Sequence, residues 1–307
     1  MNNPLLVVGS VALDTVETPF GRKEEVLGGS ASYFSLAASY FHPVRVVAIV
    51  GTDFGPTHRK PFRDRPIDLE GLVVASGKTF RWGGVYGQDP NERETLFTEL
   101  NVFEHFRPEL PPGYRDSQFI FLGNIDPALQ SIVLDQVPDR RFVGCDTMNF
   151  WIQSQIDSLK KTMARVDALL INDQELYQLA GKRNLLRAAG IVLGSGPRLV
   201  VVKRGEFGAV LVSGDQRFLL PALALDKVQD PTGAGDSFAG GFMGHLARTG
   251  ELGWETFRQA VIWGTVMASF CVESFSVDGL IGLGEETIRK RYQELRDSTR
   301  WGREEPI

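Results

Sequence analysis

Residues 230–236 combine two glycines, a small alanine and a following carboxylate, in the order Asp-Pro-Thr-Gly-Ala-Gly-Asp. A helical pattern begins within this stretch and continues to residue 249. Gly233 and Gly235 allow the backbone to turn tightly and to approach a ligand closely. The free amides at the start of a helix, with the helix dipole behind them, favour an anion. We therefore predict an anion site here and call residues 230–236 the anion loop.

An anion site beside a carboxylate suits the transfer of a phosphoryl group to a hydroxyl. Asp236 is the candidate base, because it can accept the hydroxyl proton. The amides of Gly233, Ala234 and Gly235 are the candidates for holding the charge on the transferred group. A glycine-rich turn before a helix is also common where no ligand binds. The catalytic interpretation therefore needs support from elsewhere in the chain.

The composition is that of an ordinary soluble globular protein, with 307 residues, 43% hydrophobic, 23% charged and a formal net charge of −5. The acidic balance argues against a nucleic-acid partner, which would call for a basic surface. No apolar run approaches the length of a membrane span, and the N-terminus has no basic region before an apolar core. Cys145 and Cys271 lie in apolar stretches and are predicted to be buried thiols. We predict a cytoplasmic protein without a membrane partner.

Strand and helix patterns alternate along most of the chain. Apolar runs at 5–8 and 44–50 flank a helical pattern over 28–40, an order that predicts a parallel sheet covered by helices. Further strands are predicted at 119–122, 142–145, 168–171 and 199–202, a hairpin at 210–220, and helices at 234–249, 254–273 and 285–297. Residues 300–307 are predicted to be a frayed tail.

Two segments, 13–27 and 66–106, contain short strand-like pieces without a helical pattern. We predict that together they form a small β layer beside the main sheet. Phe80, Trp82 and Tyr86 share one face of such a strand at period two. This aromatic face either stacks on a substrate ring or forms a hydrophobic seam, within the layer or across a dimer.

Two short motifs follow the first strand and lead into the first helix. Asp14 can accept hydrogen bonds from two neighbouring hydroxyls, as sugar binding requires, and an ordinary turn aspartate is the alternative. Gly28 and Gly29 let the backbone come close to a ligand at the helix start. Ser30 as a helix cap explains that second motif equally well.

Two further motifs follow predicted strands in the second half of the chain. Asn172 and Glu175 have the spacing of a capping box, and their oxygens also suit Mg²⁺ bound through water. Lys203 stands at the end of the next strand, where it offers a cation to a phosphate or is simply a solvated lysine. Gly205 and Gly208 are turn glycines in either case.

Together these motifs resemble those of the ribokinase-like, or PfkB, family of carbohydrate and nucleoside kinases. The anion loop resembles the family's second signature, with Pro231 in place of the usual threonine, and Gly28-Gly29 resembles the first. The resemblance covers nearly the whole chain. It implies a single α/β domain over 1–307 with the ribokinase-like fold: a central, mostly parallel sheet, helices on both faces and a small β lid.

The resemblance also implies a role for each motif. Asp14 with the Gly28-Gly29 turn would hold the acceptor, and Tyr33 stands where the family often has an asparagine that holds a sugar hydroxyl. Asn172 and Glu175 would order Mg²⁺ through water. The implied acceptor residues are Asp14, Gly28, Gly29, Ser30, Tyr33, Phe80 and Trp82. The implied nucleotide residues are Lys203, Gly205, Gly208 and Thr232.

We therefore predict an ATP-dependent kinase that phosphorylates a hydroxyl of a sugar. A nucleoside acceptor is the alternative, and the Tyr33 departure and the aromatic face favour it. A non-catalytic sugar- or nucleoside-binding relative is the alternative of another class, against which the intact Asp236 argues. Activation by a monovalent cation and a homodimer formed through the lid are left open.

Overall fold

The computed structural model describes residues 4–300, so residues 301–307 of the predicted tail and residues 1–3 lie outside the described part. The strands are β1 (Leu5–Val8), β2 (Ala12–Thr18), β3 (Gly21–Gly28), β4 (Val44–Gly51), β5 (Ile67–Ala75), β6 (Phe80–Tyr86), β7 (Arg93–Glu99), β8 (Phe119–Leu122), β9 (Phe142–Asp146), β10 (Ala168–Asn172), β11 (Leu199–Lys203), β12 (Ala209–Ser213) and β13 (Gln216–Leu220). The helices are α1 (Ser30–Ala38), α2 (Pro56–Arg63), α3 (Pro127–Gln136), α4 (Asn149–Ser154), α5 (Ile156–Met163), α6 (Asp173–Ala180), α7 (Leu185–Leu193), α8 (Ala234–Thr249), α9 (Trp254–Cys271) and α10 (Glu285–Ser298).

Nine strands form the large sheet, in the order β13-β12-β11-β10-β9-β8-β1-β4-β5. All neighbours from β11 to β5 pair in parallel, and β12 and β13 add an antiparallel hairpin at one edge. The predicted mostly parallel sheet and the predicted hairpin are therefore confirmed. The carboxyl ends of the parallel strands meet at one edge, which is where ligands of open α/β sheets bind.

Helices cover both faces of the large sheet. Alternate residues of β1 enter different core clusters, Leu5 and Val7 on the face of α1, α8 and α9, and Leu6 and Val8 on the other face. Burial on both faces explains why the central strands are continuous apolar runs rather than alternating ones. Among residues 4–300, no helix has the length and apolar character needed to cross a membrane.

Four strands form a second, small sheet, in the order β3-β2-β6-β7. Two antiparallel hairpins, β2–β3 and β6–β7, join through a parallel pairing of β2 with β6. The predicted lid range 66–106 was partly wrong, because β5 pairs in parallel with β4 in the large sheet. β5 is an edge strand with Val73 and Val74 exposed, so it lacks the fully apolar pattern of the central strands.

Helices α1 and α8 pack with their backbones close together. Gly240 of α8 lies against the carbonyl oxygen of Phe34, and an added Cβ would overlap that oxygen. One turn further on, an added Cβ at Gly244 would lie 3.0 Å from the carbonyl oxygen of Ala38. The glycines on α8 therefore let the backbones of α1 and α8 approach to a distance that any side chain at these positions would increase.

We expect Gly240→Ala to lower the free energy of unfolding by about 1–3 kcal/mol, since its methyl group must push α1 away. Gly190→Ala in α7 is the matched control, because an added Cβ there meets nothing within 4 Å. That control should be neutral or stabilising by up to about 1 kcal/mol. Urea unfolding of both variants measures the difference, and equal free energies would contradict the close packing.

Candidate active site

The anion loop leads directly into α8, and its last three residues form the start of that helix. Gly233 is the residue before the helix and has φ 77° and ψ 0°, a left-handed conformation that favours glycine. An added Cβ at this position would overlap the ring of Tyr33, so the ring and the loop backbone are in close contact. The Ala234 amide donates to the Pro231 carbonyl at 3.2 Å, which closes the loop as a turn.

Asp236 lies in the first turn of α8 and is half-buried. Burial raises the pKa of its carboxyl to about 7, and the neighbouring Asp146 carboxylate adds to this rise. The cations Lys203 and Arg93 act in the opposite direction. A carboxylate with a pKa near neutrality is a suitable proton acceptor, because it is ionised in part and still basic.

Lys203 and Asp146 form an ion pair across the carboxyl edge of the large sheet. Asp146 ends β9, Lys203 ends β11, and the Lys203 Nζ lies 2.9 Å from an oxygen of Asp146. Burial alone lowers the pKa of Lys203, but Asp146, Glu175 and Asp236 outweigh it, so the pKa is raised and the lysine stays charged. The ammonium group also lies beside Gly235, 3.0 Å from the position of an added Cβ. A phosphate at the anion loop would therefore meet this cation.

Asn172 and Glu175 form the capping box that starts α6. The Asn172 Oδ1 accepts from the Glu175 amide at 2.8 Å, and a Glu175 oxygen accepts from the Asn172 amide at 3.0 Å. Glu175 is buried, and burial followed by the Asp146 charge raises its pKa to about 7. The other carboxylate oxygen of Glu175 takes no part in the capping box. No group of three acidic, histidine or cysteine side chains among residues 4–300 could cage a metal ion. The second carboxylate oxygen of Glu175 is of the ligand type that suits Mg²⁺, whose remaining ligands would be phosphates and water.

Asp14 lies at the other end of the cleft, on β2, and only 4% of it is exposed. Its carboxylate rests on the backbone of Gly28, where an added Cβ would overlap both oxygens. Burial, with a further contribution from Asp230, raises the pKa of Asp14 to about 8, although the Gly29 amide acts against the rise. The glycine at 28 is thus required by the position of the aspartate.

The side chain of Ser30 does not cap helix α1. Gly29, with φ 90°, is the residue before α1, so the alternative interpretation of Ser30 as the helix cap is wrong. The Ser30 hydroxyl instead accepts from the Ser10 amide at 3.2 Å, while the Ser10 hydroxyl accepts from the Ser30 amide at 3.1 Å. This reciprocal pair ties the acceptor turn to the end of β1.

Tyr33 is almost fully buried, with 1% of its surface exposed. Its hydroxyl has no hydrogen-bond partner within the described part of the chain. Burial raises the pKa of the hydroxyl well above its usual value, and the charges of Asp14 and Asp230 act in the same direction. The side chain lies between the acceptor end and the anion loop, consistent with its predicted place in the site.

The inner face of the small sheet carries Trp82, Tyr86 and Arg93 toward the cleft. Trp82 pairs with Asp14 across the β2–β6 ladder, so both side chains lie on the same face. The Thr232 hydroxyl of the anion loop donates to the Tyr86 hydroxyl at 3.2 Å. The guanidinium carbon of Arg93 lies 5.1 Å from the centre of the Trp82 ring.

Phe80 has a different environment from Trp82. Its ring stacks on Phe103 with a centroid distance of 5.3 Å, and Phe103 stacks on Phe106 at 5.5 Å. Phe106 belongs to the core of the large sheet. Phe80 therefore takes part in a hydrophobic seam between the two sheets, and its substrate contact stays a prediction.

The nucleotide-side glycines lie after β11. Gly205 has φ 53° and Gly208 has φ 82°, so both occupy conformations that favour glycine. An added Cβ at Gly208 would overlap the Leu220 carbonyl. At Gly205 it would overlap the side-chain oxygen of Asn91, at the turn between β6 and β7. The small sheet therefore reaches the predicted nucleotide loop as well as Asp14.

A model of the pfkB family carbohydrate kinases matches residues 7–280. The chain belongs to this family. A cytidine kinase from Thermococcus kodakarensis is 30% identical over 251 residues, which cover 80% of this chain and 88% of that protein. The structure of Arabidopsis thaliana ribokinase with ribose and ATP superposes with a TM-score of 0.78 at 19% identity, covering 95% of this chain and 99% of that one. The structure of Burkholderia thailandensis nucleoside kinase in complex with inosine superposes with a TM-score of 0.77 at 17% identity, covering 94% of this chain and 97% of that one.

As a pfkB family member, the chain is a kinase that uses ATP and phosphorylates a hydroxyl, and that prediction is confirmed. The fold brings three further residues into the cleft: Asn91, Arg93 and Asp146. Asp146 carried a signal in the sequence, because it lies at the end of a strand of an α/β sheet, where ligands bind. Asn91 and Arg93 carried none, because their positions depend on how the β6–β7 hairpin folds over the cleft.

We expect Asp236→Asn to stabilise the ligand-free protein at pH 8 by at least about 1 kcal/mol. The pKa of Asp236 is raised to about 7, so its stabilising contribution is full in acid and is lost as the pH rises through 7. Asparagine cannot ionise, and the gain should therefore shrink between pH 8 and pH 5. Chemical denaturation at both pH values measures it, with the exposed Asp215→Asn as the control. A gain that grows toward pH 5 would contradict the assignment.

Proposed function

We propose that this chain is an ATP-dependent kinase whose acceptor is a nucleoside. One arrangement carries the proposal: an aromatic ring, Trp82, faces the cleft from the same side of the small sheet as the buried Asp14. A carboxylate that accepts from two hydroxyls suits a ribose, and a neighbouring aromatic face suits a base. The similarity to a cytidine kinase at 30% identity supports the same acceptor class.

The chemical step follows from the two ends of the cleft. Asp14 and the Gly28-Gly29 turn hold the acceptor, and its reacting hydroxyl lies beside Asp236. The hydroxyl oxygen forms a bond to the γ-phosphorus while its proton passes to the Asp236 carboxylate. The bond from that phosphorus to the bridging oxygen breaks, and ADP leaves with the electron pair.

The anion loop and its neighbours stabilise the charge during transfer. The amides of Gly233 and Gly235, together with Lys203, would face the oxygens of the transferred group, whereas the Ala234 amide already donates to the Pro231 carbonyl. Thr232 contacts the same group from the loop, and the Gly205 and Gly208 turns receive the nucleotide. Mg²⁺, when bound near Asn172 and Glu175, neutralises phosphate charge through its waters.

The small sheet is proposed to act as a lid. It spans the cleft from Trp82 beside Asp14 to Asn91 beside Gly205, so it covers both ends of the site. Closure would exclude water, which otherwise competes with the acceptor for the phosphoryl group.

Asp236→Asn should lower kcat by about 10²–10⁴-fold, since it removes the proton acceptor. The KM values for ATP and acceptor should change far less, because the asparagine keeps the shape of the site. Steady-state kinetics of ADP release measure both parameters. The exposed Asp215→Asn serves as the control, and a near-normal kcat for Asp236→Asn would remove Asp236 from the mechanism.

Asp14→Asn should raise the KM for the acceptor by tenfold or more, because an amide accepts at only one atom. The KM for ATP should remain within about twofold, since Asp14 lies at the opposite end of the cleft. An unchanged acceptor KM would exclude Asp14 from the acceptor site.

A free sugar is the second candidate acceptor, since Asp14 alone serves any pair of neighbouring hydroxyls. A panel of nucleosides and free sugars, each tested for ADP release, separates the two. Turnover with cytidine or another nucleoside at a kcat/KM at least tenfold above that with ribose supports the proposal. The reverse ranking would establish the sugar as the acceptor.

Several predictions from the sequence stay predictions. These are the single domain over 1–307 and the cytoplasmic location, while a homodimer through the lid and activation by a monovalent cation stay open. For the cation, the structure adds that Asp230 in the anion loop already accepts two amide hydrogen bonds, from Thr232 at 2.8 Å and Ser276 at 2.9 Å.

A further inference from the structure

Residues 272–277 follow α9, and we call them the α9 turn. The turn contacts the beginning of the anion loop, since the Val272 carbonyl accepts from the Asp230 amide at 3.2 Å. It also contacts the small sheet, because Phe275 is buried in a hydrophobic cluster with Tyr86. A short segment outside the proposed substrate contacts is therefore packed against two parts of the site.

Ser276 of the α9 turn makes hydrogen bonds to both substrate regions. Its amide donates to a carboxylate oxygen of Asp230 in the anion loop at 2.9 Å. Its hydroxyl donates to the carbonyl of Leu27, the residue directly before the Gly28-Gly29 turn. Only 4% of Ser276 is exposed. One buried residue thus joins the anion loop through its backbone to the acceptor turn through its side chain.

The backbone of Ser276 adopts an unfavourable conformation. Its φ is 55°, in the left-handed region where a residue with a Cβ is strained and glycine is not. Within residues 4–300, three residues other than glycine have a positive φ, and of these only Ser276 is buried. Such conformations persist where the surrounding structure holds them, and they are concentrated at functional sites. Serine differs from glycine here in supplying the hydroxyl that Leu27 accepts.

We propose that Ser276 is a positioning residue, which fixes the anion loop relative to the Gly28-Gly29 turn. This inference rests on the proposed function, in which the turn holds the acceptor and the loop holds the transferred group. Leu27 lies before α1 and Asp230 lies before α8, so Ser276 joins the segments that lead into the two packed helices. A displacement of about 1 Å between reacting groups can lower a rate by about 10²-fold. Ser276 acts through these segments and not on a substrate.

Two substitutions separate the hydroxyl from the strained backbone. Ser276→Ala removes the hydroxyl and keeps the strain, whereas Ser276→Gly removes the hydroxyl and relieves the strain. Both should lower kcat for the best acceptor by about 10-fold to 10²-fold, because both lack the bond to Leu27. The KM values for ATP and acceptor should stay within about threefold, since the groups that bind each substrate are unchanged.

Ser117→Ala is the matched control. Ser117 is also a buried serine whose hydroxyl donates to a backbone carbonyl, that of Tyr114 at 2.7 Å. It precedes β8, so it lies at the amino edge of the large sheet, away from the site. This variant should keep the wild-type kcat.

The ratio of the two products distinguishes a misplaced acceptor from a smaller amount of folded enzyme. The wild-type chain should release one ADP for each acceptor that it phosphorylates. In both Ser276 variants Asp236 and the anion loop remain, but the acceptor hydroxyl is less well placed and water can compete with it. The ratio of ADP to phosphorylated acceptor should therefore rise at least about twofold. In Ser117→Ala it should stay at the wild-type value.

Hydrogen exchange of the ligand-free chain tests the link without any turnover. Ser276→Ala should speed amide exchange in residues 27–33 and 229–236 together, because each segment loses its tie to the other. Ser117→Ala should leave both segments at the wild-type rates. Unchanged exchange of both segments in Ser276→Ala would overturn the link.

The outcomes for the link and for the proposed function are distinct. Absence of wild-type turnover with every nucleoside and sugar would overturn the proposed function. Wild-type turnover with a normal kcat in both Ser276 variants would overturn the positioning role alone. A normal kcat in Ser276→Gly with a lowered one in Ser276→Ala would also overturn it, because the backbone and not the hydroxyl would then explain the loss.

Discussion

The close contact between α1 and α8 determines where the two halves of the site lie. α1 begins directly after the Gly28-Gly29 turn, and α8 begins within the anion loop. Because Gly240 lets the helix backbones touch, the two helix starts are held side by side at one edge of the sheet. The ring of Tyr33 against Gly233 continues this contact into the site. The acceptor turn and the anion loop are thus positioned by the same packing that forms the core.

The site concentrates negative charge that the folded chain does not fully compensate. Asp14, Glu175 and Asp236 all have raised pKa values, and burial is the first cause for each. Lys203 is paired with Asp146 and balances only part of this charge. Such an arrangement costs stability in neutral solution and is typical of a functional site. For Asp236 the same cost leaves a carboxylate whose pKa of about 7 suits the role of base proposed for it.

Most of the large sheet could be predicted from the sequence, and part of the small sheet could not. The strand at 119–122 was found with its correct bounds, since a strand buried on both faces is a continuous apolar run. β5 was assigned to the wrong sheet because an exposed edge strand and a lid strand have the same mixed pattern. Arg93 was missed for a related reason. β7 is exposed along most of its length, and only its register with Tyr86 reveals which of its polar residues faces the cleft.

The β6–β7 hairpin touches both substrate regions, at Trp82 beside Asp14 and at Asn91 on Gly205. A ligand that binds at one end of this hairpin would therefore change the free energy needed to order the other end. Thermodynamic linkage makes such an effect mutual, so each substrate would alter the affinity for the other by the same factor. In this fold, any coupling through the small sheet between the proposed acceptor and nucleotide sites would therefore pass through a single pair of strands.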